Sequence, residues 1–388
     1  MSEYQYYEWL AIDRPLDQHE LAEVRQLSSH MDVATVTQAS VTYSYGDFKH
    51  NPIKVLLRYF DAFLYTANWG SRRLAFRIPS ALLDTDALDS YLIPDVIDYQ
   101  TSSPFTVLTI DLNEEDGGGG DWIDANGLLG SIAGVRRQLM QGDYRALYLT
   151  WLAVVARRVD YLDATEDEDF DDDDVVLLTE PPVPSGLQAL DGSLSALSDF
   201  LEVPDHLVQA AATASTSAPE VSPTELHAAI AKLPRARADA YLLRLLNESP
   251  LTLGDELRLE LKLNKPPASA KGQRQSARRS ARTLLDAAKA QASKAAQRQQ
   301  EKAHKARIAA LEQLATREPQ AWDSVQTELH KQTASGYTAA VQQLVDLSNL
   351  AEQRGTSHMF EAQLATLIDQ FSRSRTLINR LKKARLMA

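Results

Sequence analysis

The sequence predicts an α+β domain at the N-terminus followed by an all-α half. Three observations lead to this prediction. Strand-like and helix-like apolar patterns alternate over roughly the first hundred residues. From about residue 187 the apolar spacing is helical, and residues 276–317 contain no Gly or Pro and consist mainly of strong helix formers. In the first domain we expect a split β-α-β arrangement, an antiparallel sheet with helices on one face.

The α+β domain is expected to span residues 1–158. Its first strand is predicted from the aromatic run YQYYEWLAI at residues 4–12, and the β-branched residues of 33–48 predict one long strand or a hairpin. A helix is predicted to begin near Pro52 and to stop at Gly70, since proline favours helix starts and glycine helix ends. The predicted order is β-α-β-α-β-β. An apolar helix ending near Arg158 then completes the domain.

An acidic stretch follows this helix. Residues 160–174 read DYLDATEDEDFDDDD, in which ten of fifteen side chains are carboxylates. The glycine and glutamate spacing of an EF-hand loop is missing. Because like charges repel into an extended coil, we predict an acidic, proline-containing linker over residues 159–186. Its carboxylates are also candidates for an autoinhibitory run: Glu166, Asp167, Glu168, Asp169, Asp171, Asp172, Asp173 and Asp174.

Two helical regions are predicted on either side of a longer helix. Residues 187–264 are expected to form a small helical domain, in which Ser222 and Glu225 have the spacing of a capping box. Its candidate core residues are Leu226, Ile230, Leu233, Leu242, Leu245 and Leu246. Residues 319–388 are expected to form helical hairpins that act as an interaction module. Their apolar spacing is given by Tyr337, Ala340, Leu344, Leu347, Leu350, Phe360, Leu364 and Leu367.

Between these regions, residues 265–318 are predicted to contain one long basic helix. Its continuous part, 276–317, would extend roughly 60 Å. The stretch 265–307 contains twelve Lys and Arg residues against only Asp286 and Glu301. Such a helix is either a solvated spacer or a surface that binds phosphates without reading bases. The candidate nucleic-acid contacts are Lys271, Arg274, Arg278, Arg279, Arg282, Lys289, Lys294, Arg298, Lys302, Lys305 and Arg307.

Charge is distributed unevenly along the chain. Residues 1–264 carry 19 basic and 43 acidic side chains, a net charge of −24, whereas residues 265–388 carry 21 and 10, a net charge of +11. This division is typical of a basic module that meets nucleic acid, an acidic partner or its own acidic half. Solvated helix faces are the simpler alternative.

Several classes of site are excluded by composition. The chain has no cysteine, which removes disulfides, thiolate metal sites and cysteine nucleophiles. Its eight histidines are scattered, and no catalytic or phosphate-loop motif is present. We therefore expect no cofactor and no metal site. The longest apolar run, 147–156, is too short for a membrane span, so we expect a cytoplasmic protein that does not contact the membrane.

One strand resembles an RNA-binding motif in part. SRRLAFRIP at residues 71–79 resembles the RNA-recognition strand, but Arg73 replaces its glycine and Leu74 its first stacking aromatic. The aromatic residues of 4–9 lie on both faces of their predicted strand. Some of them must be buried, so they cannot all form a platform for bases.

The chain also resembles known proteins at its two ends. The segments SEYQYYEWLAIDRPL (2–16), GDF (46–48) and YFDAFLYTANWG (59–70) resemble a family of uncharacterised bacterial proteins. YTAAVQQLVDLSNLAEQRG (337–355) resembles the helical tails of that family and of bacterial SWIM zinc-finger proteins. The resemblance implies a bacterial origin and a shared fold, and it implies no catalytic residue. The Cys and His ligands of a SWIM finger are absent.

The sequence therefore predicts a non-enzymatic protein of several domains. The first hypothesis is a scaffold or adaptor that binds another protein through its C-terminal helices. The alternative is an accessory protein that binds DNA or RNA through the basic helix. An enzyme with an unrecognised site is the third hypothesis. The pattern leaves the partner and the oligomeric state open.

Overall fold

The computed structural model describes residues 4–113, 125–158, 179–218, 221–247, 251–263, 279–371 and 374–387. The four consecutive glycines at 117–120 and the acidic run at 160–174 lie outside these residues. The chain divides into two compact units, Met1–Gln291 and Ala292–Ala388. We call the first the head unit and the second the C-terminal unit.

The head unit is built on a seven-stranded antiparallel sheet, in the order β2-β3-β1-β4-β5-β7-β6. This confirms the α+β class predicted from the sequence. The strands are β1 (Tyr4–Leu10), β2 (Met31–Ala34), β3 (Gln38–Ser44), β4 (Ala62–Ala67), β5 (Arg72–Pro79), β6 (Ile97–Ser102) and β7 (Phe105–Leu112).

The predicted split β-α-β unit is formed by β3, helix α2 (Pro52–Tyr59) and β4. Strands β3 and β4 both run antiparallel to β1, which lies between them, so they are parallel to each other. Helix α2 begins where predicted because the side chain of Asn51 accepts hydrogen bonds from the backbone N–H groups of Ile53 and Lys54, at 2.9 and 3.1 Å. Its predicted end at Gly70 is wrong, since the helix stops at Tyr59 and the chain then forms β4.

Helices cover both faces of the sheet, whereas the sequence predicted helices on one face. Helix α1 (Gln18–Arg25) contributes Val24, and α2 contributes Leu56, to the buried cluster that contains Trp9 of β1. Tyr6 belongs to a second buried cluster, because side chains alternate along a strand. A sheet with apolar residues on both faces must be covered on both.

Among the described residues, the second cluster joins the sheet to six α-helices that lie wholly within the head and to the start of the long helix described below. The six are the short α3 (Thr85–Leu88), α4 (Leu128–Ile132), α5 (Gly134–Met140), α6 (Arg145–Arg157), α7 (Gly192–Phe200) and α8 (Asp205–Ala212). Residues 187–264 were predicted to form a domain of their own. The structure instead places Leu194 of α7 and Leu207 of α8 in the head core. Their apolar faces are completed by α4 and α6.

The next helices are α9 (Pro223–Ala231), α10 (Arg235–Asn247) and α11 (Leu253–Glu260). The capping box of Ser222 and Glu225 is confirmed. The predicted core of these helices is wrong, since neither α9 nor α10 contains a buried residue. Leu233 is half-buried, and the exposed members of the predicted core are Leu226, Ile230, Leu242, Leu245 and Leu246.

The long helix α12 (Ala281–Thr316) crosses from the head unit into the C-terminal unit along the sequence. It is followed by α13 (Glu318–His330), α14 (Ala334–Arg354), α15 (Ser357–Gln370) and α16 (Arg375–Lys383). Helix α14 packs against α13, α15 and α16. The apolar residues whose spacing predicted helical hairpins in this region are all buried: Tyr337, Ala340, Leu344, Leu347, Leu350, Phe360, Leu364 and Leu367.

Candidate nucleic-acid interface

Helix α12 forms because its residues have a high helix propensity and none of them is a helix breaker. Residues 281–316 are rich in Ala, Gln, Lys and Arg and contain no Gly or Pro. At the start, the Ser280 hydroxyl accepts a hydrogen bond from the backbone N–H of Thr283 at 3.2 Å. At the end, the next helix, α13, begins at Glu318 with Pro319 in its first turn. The helix is about 54 Å long.

The first turns of α12 are held in the head. Ala281, Leu284, Leu285 and Ala288 are buried and belong to the core cluster of the sheet. Beyond Ala288, most residues of the helix are exposed. The start of α12 is thus fixed by apolar packing, which needs only two turns of the helix.

A mostly buried ion pair fixes Arg279, two residues before the helix begins. Arg279 donates to both carboxylate oxygens of Glu180, at 2.7 and 2.8 Å, and the Tyr148 hydroxyl donates to the same carboxylate at 2.5 Å. Thr179 and Ser280 form an antiparallel bridge beside this pair. We call this group, Tyr148, Glu180 and Arg279, the clasp.

Farther along, α12 is exposed on every side. All residues from 293 to 307 are exposed, and they lie within the C-terminal unit. A helix that is polar all round and uncovered gains nothing from tertiary packing. Its stability there comes from the high helix propensity of its residues.

Four cations line one side of this exposed stretch. Lys294, Arg298 and Lys302 are spaced four residues apart, and Lys305 follows three residues later. At about 100° per residue these positions fall within an arc of about 80°. We call these four residues the basic stripe. It extends about 16 Å along the helix, roughly the rise of five nucleotides in one strand of B-DNA.

The stripe has few acidic neighbours. Glu301 lies on the same side of the helix and offsets one positive charge. Within the part of the chain that the structure describes, no carboxylate forms an ion pair with Lys294, Arg298, Lys302 or Lys305. These four ammonium and guanidinium groups are available to an external anion.

The other predicted contacts do not belong to the stripe. Arg279 is engaged by Glu180 in the clasp. Arg282, Lys289 and Arg307 are exposed but lie on the opposite side of the helix from Lys294. Lys271, Arg274 and Arg278, like the autoinhibitory run of Glu166–Asp169 and Asp171–Asp174, lie outside the described residues.

The sheet provides no comparable surface for bases. Tyr6, Tyr7 and Trp9 of β1 are buried, and Tyr7 packs against Trp9 with ring centroids 6.1 Å apart. In β5, Leu74 and Phe76 are core residues. These buried side chains stabilise the head and cannot stack on bases.

The buried charges of the head have structural partners. Asp61 accepts hydrogen bonds from Arg77 at 2.6 Å and from the backbone N–H groups of Ile12 and Asp13 at 2.7 and 2.8 Å. Arg136 donates to both carboxylate oxygens of Asp13 at 2.7 Å. Burial alone would raise the pKa of Asp61, but Arg136 and Arg77 hold it below its usual value. These groups stabilise the packing of α5 on the sheet.

In the described ranges, no group of three or more His, Asp and Glu side chains is placed to hold a metal ion. Among the same residues, no helix is long and apolar enough to cross a bilayer.

Sequence reasoning missed two features. The clasp depends on Glu180, a single acidic residue before two prolines, and nothing in the local pattern marks it. The exposure of Leu242, Leu245 and Leu246 is the second feature, because leucines at near-helical spacing predict a buried core. Comparisons with protein-family models, with curated proteins and with solved structures find no match to this chain.

Proposed function

We propose that this chain is a non-enzymatic accessory protein that binds the phosphate backbone of DNA or RNA through the basic stripe of α12. The observation that carries the proposal is the stripe itself: four cations on one side of a helical stretch whose residues are all exposed. Lys and Arg at such a surface release counterions from nucleic acid when they bind it, so affinity is expected without base reading.

The expected binding is weak and depends on salt. Non-specific binding of this kind has a dissociation constant of roughly 10⁻⁴ to 10⁻⁶ M at physiological salt. The decisive measurement is a salt titration of fluorescence anisotropy, using the full chain with a random-sequence duplex and a single strand. The test variant changes Lys294, Arg298, Lys302 and Lys305 to Gln, which preserves helix propensity.

A matched control removes the same charge elsewhere. Arg375, Lys382, Lys383 and Arg385 are exposed at the last helix, and their change to Gln alters net charge equally. We expect the stripe variant to lose affinity and to reduce the salt slope by about one per residue removed, whereas the control keeps most of its binding. Equal losses in the two variants, or no binding of the wild-type chain at low salt, would overturn the proposal.

The adaptor hypothesis remains the alternative. Among the described residues of α13 to α16, Met359 is the exposed large apolar side chain, and the others pack into the core. These helices therefore offer a partner mainly polar surface. Recovery of partners from the native host with and without nuclease separates the two functions, because partners that survive nuclease support an adaptor. Polyglutamate tests whether the stripe prefers acidic protein to phosphate.

A further inference from the structure

Helix α10 places its polar side against the protein and its apolar side toward solvent, the reverse of an ordinary amphipathic helix. Its polar side faces α11: Arg237 donates to Glu260 at 2.6 and 3.0 Å, and Arg244 donates to Glu256 at 2.6 and 3.2 Å. Tyr241 also donates to Glu260, at 2.6 Å. Since these contacts occupy the polar side, the leucines of α10 are directed to solvent.

The leucines form a continuous exposed surface. Leu242, Leu243 and Leu246 are exposed by 55, 59 and 80%, and they fall within an arc of about 100° on the helix. Leu245 beside them is 51% exposed. Single exposed leucines are normal on a protein surface, but a cluster of them marks an interaction site. We call Leu242, Leu243, Leu245 and Leu246 the leucine face.

Helices α9 and α10 would be more stable if a binding partner buried the leucine face. Helices α9 and α10 span 9 and 13 residues and bury none of them. Isolated helices shorter than about 12–15 residues are marginal in water, and here no core adds to their stability. A partner that covers the leucine face whenever the chain is folded would supply the missing burial.

A second copy of the chain meets this requirement. Arg235 and Asp239, one turn before the leucines on the same side of α10, neutralise each other at 2.9 Å. Two copies of the face therefore meet without like-charge repulsion. Two-fold symmetric pairs are the commonest oligomers and use the same patch on both subunits.

The available area agrees with a small dimer interface. At roughly 30 Å² per side-chain carbon, four leucines exposed to this extent offer roughly 300 Å² per copy and roughly 600 Å² per pair. The smallest specific interfaces bury about 1,200 Å², of which rather more than half is apolar. The leucine face therefore supplies most of the apolar surface that such a dimer needs.

From these observations we infer that the chain forms a symmetric homodimer through the leucine face of α10. The inference is independent of nucleic-acid binding, because it involves other residues and is tested without nucleic acid. A dimer would also carry two basic stripes, one in each copy.

The first test measures mass in solution by analytical ultracentrifugation of the full chain over a concentration series. We expect the wild type to approach twice the monomer mass and Leu242→Asp/Leu246→Asp to remain monomeric. Met359→Asp, at a 57% exposed residue of α15, is the matched control and should dimerise normally. Circular dichroism checks that each variant is folded. A monomeric wild type, or a dimeric double variant, would overturn the inference.

The absence of natural cysteine allows a second test. Leu243→Cys places one thiol in the leucine face of a chain that has none, and mild oxidation should join two copies by a symmetric disulfide. Met359→Cys should remain largely uncoupled under the same conditions. Equal coupling of the two variants would contradict the assignment, even if the mass measurement showed a dimer.

Discussion

The head and the exposed stretch of α12 differ in the burial and pairing of their basic side chains. Arg72, Arg136 and Arg279 of the head are mostly buried, and each is paired with a carboxylate within 2.7 Å. On α12, Lys294 and Arg298 are exposed. A buried cation must be paired because desolvation is costly, whereas an exposed one keeps its hydration. The first group therefore stabilises the fold, and the second remains available for binding.

The largest effect is expected where a buried pair is broken. Arg279→Ala leaves the Glu180 carboxylate, 3% exposed, without its cation, and should destabilise the head by about 3–5 kcal/mol. Arg244→Ala removes an exposed cation paired with Glu256 and should cost about 1 kcal/mol or less. Chemical denaturation followed by tryptophan fluorescence measures the free energy of unfolding of each variant, since Trp151 packs beside Tyr148 of the clasp. Similar losses would remove the distinction between the two groups.

An intermediate effect is expected from the acidic run. Thr179, which follows the run closely in sequence, is bridged to Ser280 at the start of α12. We therefore propose that the carboxylates of the acidic run compete with phosphate for the basic stripe. Because they belong to the same chain, their effective concentration at the stripe is of order millimolar. Changing Glu166–Asp169 and Asp171–Asp174 to Gln and Asn should tighten nucleic-acid binding about tenfold at low salt, or about 1.4 kcal/mol.

The same binding titration provides the control for this prediction. In the variant that lacks the four cations of the stripe, neutralising the acidic run should have little further effect, because the two groups act on each other. Unchanged affinity in the otherwise wild-type chain would mean that residues 159–186 serve as a linker alone.

The smallest effect concerns a buried acid of the sheet. Glu8 is fully buried and accepts a hydrogen bond from Gln38 at 2.7 Å. Burial raises the pKa of Glu8, although the Gln38 hydrogen bond opposes the shift. Because the folded state then binds the proton more tightly, its stability falls as the pH rises from 4.5 through the folded pKa.

Glu8→Gln should therefore stabilise the head at neutral pH by about 1 kcal/mol and flatten this part of the pH profile. Glu312→Gln, on an exposed residue of α12, should change neither the stability at neutral pH nor its dependence on pH. The measurement is thermal unfolding across the acidic to neutral range. A loss of stability in the Glu8 variant would show that the ionised carboxylate is well stabilised in the sheet.

The predicted nucleic-acid contacts do not all lie on one surface of α12. The helix and its net charge followed from composition, because propensity and charge are local properties of the residues. Which of these cations are paired and which are exposed could not be predicted in the same way. Arg279 pairs with Glu180, which is distant in sequence, whereas Lys294 is exposed to water. The predicted resemblance to bacterial proteins at residues 2–16 and 337–355 stays a prediction.

By itself, the sequence determined the elements whose signals are local. The strand of Tyr4–Leu10, the start of α2 at Pro52, the length of α12 and the apolar spacing of α14 all follow from periodicity, propensity and capping. Tertiary structure alone decided which apolar faces are covered. Leu194 and Leu242 lie in equally plausible helices, yet only Leu194 meets the head core. Burial depends on residues far away in sequence, and a local pattern does not contain them.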